Sequence, residues 1–295
     1  MVGAALPFAS HWHPVGPHRL HYLDEGEGAP VLMVHGNPSW CFYYRNLVQR
    51  LAPRYRCVVP DHIGMGLSDK PDDGEYHYTL DQRLADLDSL VRHLDLRDIT
   101  LVVHDWGGMI GLAWAVRNPE RVKRLVLLNT GAFPLPASKP LPLGLKLCRL
   151  PLLGPLLVQG ANAFARGAAW VGCKRQRLDK ARRDQFCAPY DSWAHRRAVL
   201  RFVQDIPLTA ADPAFATVRQ TEERLPLLAD RPTLILWGER DFVFDRHFLA
   251  RWRTIYPQAE LHRFADCGHY VLEDAGSEAL DRIDAFLRRT EGDRP

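Results

Sequence analysis

The sequence predicts an α/β domain, a mostly parallel sheet with helices on both faces, interrupted by an inserted helical cap. Three observations predict it. Apolar strand-like runs alternate with amphipathic helical patterns in the first third of the chain and again from residue 233 onward. Between them, over 132–216, the strand signals nearly vanish and prolines and helical stretches take over. Finally, the β-branched run of 99–103 ends at His104-Asp105-Trp106-Gly107-Gly108 and passes straight into a helical pattern.

The elements follow in order. Residues 18–23 and 30–34 read as strands, the second ending at His35-Gly36-Asn37-Pro38, and Ser39 is placed to cap a helix running to about 51. A short strand at 57–59 leads into the loop 61–71. Leu80, Leu84, Leu87, Leu90, Val91 and Leu94 then recur at helical spacing within 79–94. The strand ending at Asp105 is followed by a helix over 107–118 and a strand over 124–128. After Gly131 come helical stretches at 153–170 and 191–205. The alternation resumes with a strand at 233–237, a helix near 245–256, a strand at 259–264 and a last helix from about 275. The core domain is therefore expected over 1–131 and 217–295, with 132–216 as a cap over the site; the last five residues are expected to fray.

Composition narrows the classes. The 295 residues, 46% hydrophobic and 25% charged, are ordinary for a globular protein. No apolar run approaches the roughly 18 residues of a spanning helix, and the N-terminal segment has neither the basic start nor the long apolar run of a signal peptide. Six scattered cysteines without a C-x-x-C pair fit buried thiols in a reducing cytosol, so no disulfide frame, metal or cofactor is expected. The expected location is cytoplasmic, with the membrane surface as a peripheral site. Charge points the same way: 134–216 holds thirteen Lys/Arg against five Asp, +8, leaving −5 for the rest of a +3 chain. Such a segment is a solvated face, or a surface for anionic lipid or an acidic partner. No nucleic-acid motif accompanies it.

Asp105 stands where a nucleophile elbow, the sharp strand-to-helix turn of the α/β-hydrolase fold, exposes its nucleophile. An Asp there instead of Ser forms an ester with a carbon electrophile, which a second step must resolve. Gly107 permits the turn, and Trp106 can aim its indole N–H at developing negative charge. The alternative for Asp105 is an ordinary helix N-cap. In this fold the chain order is nucleophile, acid, histidine. His269, in Cys267-Gly-His269 after the last strand, is the best-placed base. Asp241, in Trp237-Gly-Glu-Arg-Asp241, is the acid that would orient it; Asn129 carries no charge, and Glu239 and Asp245 read as exposed or capping. Asn37, after an earlier strand, and Trp106 offer backbone and side-chain N–H groups for an oxyanion or leaving group.

His35-Gly-Asn-Pro38, the loop from Asp61-His-Ile-Gly to Asp-Lys-Pro71, His104-Asp-Trp-Gly-Gly108, Trp237-Gly-Glu-Arg-Asp241 and Cys267-Gly-His269 resemble the haloalkane dehalogenase family of α/β-hydrolases over nearly the whole catalytic domain. Leu127-Leu-Asn-Thr-Gly-Ala-Phe133, Ala188-Pro-Tyr-Asp-Ser-Trp193 and Arg201-Phe-Val-Gln-Asp-Ile-Pro207 are similar to one subgroup, the β-lactone decarboxylases of bacterial long-chain olefin biosynthesis. That resemblance implies conversion of cis-3,4-dialkyl-oxetan-2-ones to cis-olefins and CO2, with thiolase, reductase and lactone-synthetase enzymes as olefin-pathway partners. Its alternative is hydrolysis of alkyl halides to alcohol and halide. The triad serves either chemistry. The apolar run Leu150-Pro-Leu-Leu-Gly-Pro-Leu-Leu-Val158, with Phe164 and Trp170, suits a hydrophobic small-molecule substrate with long alkyl arms. An epoxide hydrolase resembles a site with two cap tyrosines, and 134–216 holds only Tyr190. A non-catalytic receptor on this fold has no need of nucleophile, acid and base together.

Overall fold

A computed structural model describes residues 6–292. Its elements run β1 His11–Val15, β2 His18–Glu25, β3 Ala29–Val34, α1 Arg45–Leu51, β4 Tyr55–Pro60, α2 Leu80–His93, β5 Ile99–Asp105, α3 Trp106–Ala115 and β6 Val122–Thr130. The insertion contributes α4 Leu143–Arg149, α5 Leu153–Pro155, α6 Ala163–Val171, α7 Lys180–Cys187 and α8 Arg197–Gln204. The chain returns through α9 Phe215–Arg224, which packs on α3. It closes with β7 Thr233–Gly238, α10 Arg246–Ile255, β8 Glu260–Phe264, α11 Val271–Asp274 and α12 Ser277–Arg289.

The strands form one sheet in the order β1-β2-β4-β3-β5-β6-β7-β8, parallel except for the β1–β2 and β2–β4 pairings. The central strands read as continuous apolar runs because both of their faces are covered. Every residue of β5 is buried, and its side chains alternate between two cores: Leu101 and Val103 join one cluster, Val102 the other. The same alternation puts Leu125 and Leu127 of β6 on the first side, Val126 and Leu128 on the second. Helix α2 presents Leu80, Leu84, Leu87, Leu90 and Val91 inward, and the Thr79 side chain accepts from Gln82 N at its start.

Several elements differ from expectation. Strand β1 has no apolar alternation and contains Pro14, which an edge strand tolerates because its outer backbone needs no partner. Ser39 does not cap a helix. Its hydroxyl donates to Gly36 O, and a 3-10 turn at Cys41–Tyr44 precedes α1, with the Asp61 carboxylate taking the Cys41 N–H at 2.7 Å. The single helix expected over 153–170 is broken: a π turn spans Leu156–Gly160 and Asn162 turns left-handed (φ 52°) before α6. The helix expected over 191–205 is a 3-10 turn at Ala194–Arg196 followed by α8. The N-terminal leader reading and the fraying of the last five residues fall partly on 1–5 and 293–295, which lie outside the described residues. Among the described residues, no helix is long and apolar enough to cross a membrane.

One buried ion pair ties the insertion to the core. Arg83 of α2, fully buried, donates to Asp205 Oδ2 at 3.1 Å just past α8, and its guanidinium lies 3.7 Å from the Phe202 ring centroid. Removing one partner of such a pair leaves an uncompensated charge in a low-dielectric site. Asp205→Ala is therefore expected to lower unfolding free energy by about 3–5 kcal/mol in urea titrations; a loss under about 0.5 kcal/mol would refute the tether.

Candidate active site

Five consecutive parallel strands deliver the site. Asn37 follows β3, Asp105 ends β5, Asn129 and Thr130 end β6, Asp241 follows β7 and His269 follows β8. Parallel pairing puts all of these at the carboxyl edge of the sheet, where an open α/β sheet leaves a crevice.

Asp105 sits at φ 52° and ψ −127°, a region side chains rarely occupy, and α3 starts at the next residue. This turn lifts the carboxylate out of the strand. Its surroundings hold it there: the Thr130 hydroxyl donates to Asp105 O at 2.5 Å, and Asn37 N–H donates to Asp105 Oδ1 at 2.6 Å. The approach is so close that a Cβ on Gly36 would lie 2.1 Å from Asp105 Oδ1, and one on Gly107 would lie 1.9 Å from Val34 O. Both positions require glycine. Burial pushes the Asp105 carboxyl up to about 6, while His269 and the backbone N–H groups of Trp106 and Asn37 pull against that rise.

His269 and Asp241 meet as the sequence suggests. His269 Nδ1 donates to Asp241 Oδ2 at 2.7 Å, and His269 Nε2 lies 3.8 Å from Asp105 Oδ2. Burial disfavours the imidazolium, but Asp241 and then Asp105 outweigh it and hold His269 above its ordinary value. Asp241 is itself braced by Val243 N–H on Oδ1 (2.7 Å) and Asn129 Nδ2 on Oδ2 (3.1 Å). Asn129 is thus no acid but a brace for one, and it also clamps both backbone groups of Gly238. Glu239 pairs with Arg263, and Asp245 accepts from His247 N and Lys139. His104 Nε2 donates to His269 O at 2.9 Å, fixing the backbone under the imidazole.

The triad opens into a cavity of about 460 Å³ whose walls include Met109, Leu145, Leu157, Phe164, Phe244 and Phe248. Its few polar walls include Asn37, Asp105, Trp106, Lys139 and His269. Two expectations change here. The backbone donors assigned to a substrate oxyanion are occupied by the carboxylate of Asp105 itself. The side-chain amide of Asn37 gives one hydrogen to Val199 O at 3.1 Å, leaving one N–H. Tyr190 is absent from the cavity walls; its hydroxyl donates to Ser39 O.

Sequence reasoning set Asn129 aside as uncharged without foreseeing its contact with Asp241, and it missed Lys139, Thr130 and the ring of Phe244, which lies parallel to His269 with centroids 6.0 Å apart. The asparagine's left-handed φ of 31° at a strand end is the sort of feature only coordinates disclose. One further group, His21, Cys41 and Asp61, brings three ligand-type atoms within 4.8 Å. It reads as a hydrogen-bonded hub, because His21 Nδ1 donates to Asp61 Oδ2 at 2.8 Å and Cys41 N–H and Leu67 N–H complete the carboxylate. Burial opposes the charge of Asp61, yet His21 and His35 hold it down at about 2.

Asp105→Ala is expected to abolish turnover with an unchanged thermal unfolding midpoint, and Asp241→Asn to cost roughly 10⁴ in rate, as in other triads. Asn129→Ala should cost less than Asp241→Asn; the reverse ranking would exchange their roles. A protonated Asp105 cannot attack, so kcat/KM is expected to fall as pH drops through about 6, the value to which burial lifts this carboxyl. A flat profile down to the range of a free aspartate would contradict that.

Residues 29–276 match the family model described as alpha/beta hydrolase fold. The chain is 56% identical to a cis-3-alkyl-4-alkyloxetan-2-one decarboxylase of Shewanella oneidensis, covering 99% of this chain and 92% of that one. It is 51% identical to the enzyme of the same name from Xanthomonas campestris, covering 92% of each. Haloalkane dehalogenase 2 of Mycobacterium bovis stands at 33% identity over 95% of this chain and 94% of its own. Among solved structures, the haloalkane dehalogenase DatA of Agrobacterium tumefaciens superposes with a TM-score of 0.86 at 27% identity, covering 95% of this chain and 96% of that one. The chain belongs to the alpha/beta hydrolase fold family, in the company of the cis-3-alkyl-4-alkyloxetan-2-one decarboxylases and the haloalkane dehalogenases.

Proposed function

We propose that the protein is a cis-3-alkyl-4-alkyloxetan-2-one decarboxylase, converting a dialkyl β-lactone to a cis-olefin and CO2 with Asp105 as nucleophile. One observation carries the reading: identity to decarboxylases is 56% and 51% over nearly the full chain, against 33% for a dehalogenase. The site agrees. A buried carboxylate at the floor of an apolar cavity of about 460 Å³ suits an uncharged ring with alkyl arms.

The donor arrangement favours attack at the ring carbon bearing oxygen over attack at the carbonyl. Attack at the carbonyl builds an oxyanion for which this fold uses backbone donors at the elbow, and the backbone N–H groups of Asn37 and Trp106 already serve Asp105. Displacement at the sp3 carbon forms the bond to Asp105 and breaks the ring C–O bond, releasing the ring oxygen as part of a carboxylate. The Trp106 indole N–H and the remaining Asn37 amide N–H are the side-chain donors for that carboxylate. Back-side attack sets the new C–O bond antiperiplanar to the C–C bond that carries the carboxylate, with the two alkyl groups still on one side. The C–C bond to the carboxylate then supplies the electrons of the olefin, CO2 leaves, and the ester bond breaks to return the Asp105 carboxylate. No water or external proton is consumed. His269 faces the carboxylate when it forms again.

Purified protein given a cis-dialkyl β-lactone should release olefin, and given a 1-bromoalkane should release bromide slowly or not at all. Bromide release far outpacing olefin across several chain lengths would make the protein a dehalogenase. Binding should strengthen by about 0.8 kcal/mol per added CH2 until the cavity fills. A heavy-oxygen label in the lactone ring is expected in CO2; its appearance in water would move the attack to the carbonyl.

A further inference from the structure

The outer face of the cap breaks the usual rule for helices. In α4 the inward residues are Leu145 and Cys148, but Leu143 and Leu147, four apart on the other side, are exposed, and so is Leu150, the extended residue just past the helix. The stripe continues along the chain through Leu152 (85% exposed), Leu153 and Leu156 (60% exposed). Single exposed leucines are ordinary; six within fourteen residues form a patch that marks an interaction surface.

The patch reaches the substrate site. Leu147 is both exposed and a wall of the cavity, and Gly144 beside it is the same. Val171 of α6 and Phe242, after β7, also combine exposure with a place in the cavity wall. The mouth is therefore rimmed with apolar side chains rather than with the polar groups of a solvent-facing opening.

Charge selects the occupant. Residues 132–178 contain seven Lys/Arg and no Asp or Glu. Lys139, Arg149 and Arg175 are engaged by Asp245, Asp212 and Asp266 from outside that stretch. Lys146, on the leucine face, and Arg166, Lys174 and Arg177 are exposed, and none has an ion pair among the described residues. Within the leucine stripe itself Lys146 is exposed, and no Asp or Glu falls in 132–178, a pattern that matches a bilayer surface bearing anionic headgroups, where leucines enter the acyl boundary and the lysine remains at the phosphates.

We propose that α4 and α5 seat the protein on an anionic lipid bilayer, with the cavity mouth against the acyl region. The substrate aspect rests on the decarboxylase reading above: a dialkyl lactone partitions into lipid and its olefin product, having lost the only polar group, partitions further. Docking lets both exchange without crossing water.

The test uses the full chain and the double variant Leu150→Glu/Leu152→Glu; of the run 150–158 that the sequence offered to the substrate only Leu157 lines the cavity, so neither of these side chains belongs to the site. Wild type should co-sediment with phosphatidylglycerol-containing vesicles, less with pure phosphatidylcholine, and less as salt rises. The double variant should bind the anionic vesicles about tenfold or more weakly. It should still convert a short-chain lactone dissolved in buffer at the wild-type rate, and lose conversion of a long-chain lactone supplied in vesicles. Absence of wild-type sedimentation at low salt, or equal binding by the variant, overturns the proposal. So does a concentration-dependent oligomer that the variant abolishes while wild type ignores vesicles, which would make the patch an interface between copies of this chain. Vesicle binding that the variant loses, in a protein that turns over no lactone, would support the docking and refute the decarboxylase reading separately.

Discussion

The backbone of Asp105 is the constraint around which the site is arranged. A non-glycine residue at φ 52°, ψ −127° persists only where its surroundings over-determine it. Here the Thr130 hydroxyl grips its carbonyl, the Asn37 N–H grips its carboxylate, and Gly36 and Gly107 leave room for strand β3 to pass at contact distance. These residues come from the turn after β3, the end of β6 and the first turn of α3. The strain is thus held by the sheet as a whole, and the carboxylate gains a fixed direction with little freedom to lose on reaction.

The same grip decides what chemistry is within reach. In a serine enzyme the two backbone donors await the substrate; here they hold the carboxylate of Asp105, with Asn37 N–H on Oδ1 and Oδ2 on the His269 side. A nucleophile so held is oriented for displacement at carbon. Burial raises its carboxyl to about 6, a modest rise because His269 and the two N–H groups offset much of the desolvation. Asp241 and Asn129 act at one remove, keeping the imidazole facing Asp105.

The cap carries two apolar surfaces with different partners. Its inner residues, such as Leu145, Leu157 and Phe164, wall the cavity, and the Arg83–Asp205 pair anchors its last helix to the core. Its outer leucines, Leu143, Leu152 and Leu156 most of all, stand exposed to solvent. A cap that was only a lid would need the first surface and not the second. Joining the two at Leu147 gives an insoluble substrate a continuous apolar route from outside to Asp105.

The sequence by itself determined the strand–helix alternation and the elbow at Asp105, and it marked Asp241, His269, Asn37 and Trp106 as candidates, because each follows or adjoins a strand whose pattern is local. It also disclosed the charge of the cap, which is a matter of composition. Only the tertiary structure decided which groups meet. Asn129 and Asp241 are 112 residues apart, and their contact exists because β6 and β7 are neighbours in the sheet. The occupation of the Asn37 N–H by Asp105, across 68 residues, follows from β3 lying beside β5. The break of the expected long cap helix at Leu156–Gly160 and Asn162 is likewise tertiary. Periodicity marks which face of a segment is apolar, but a continuous run of leucines has two apolar faces, and only packing says which one is left exposed.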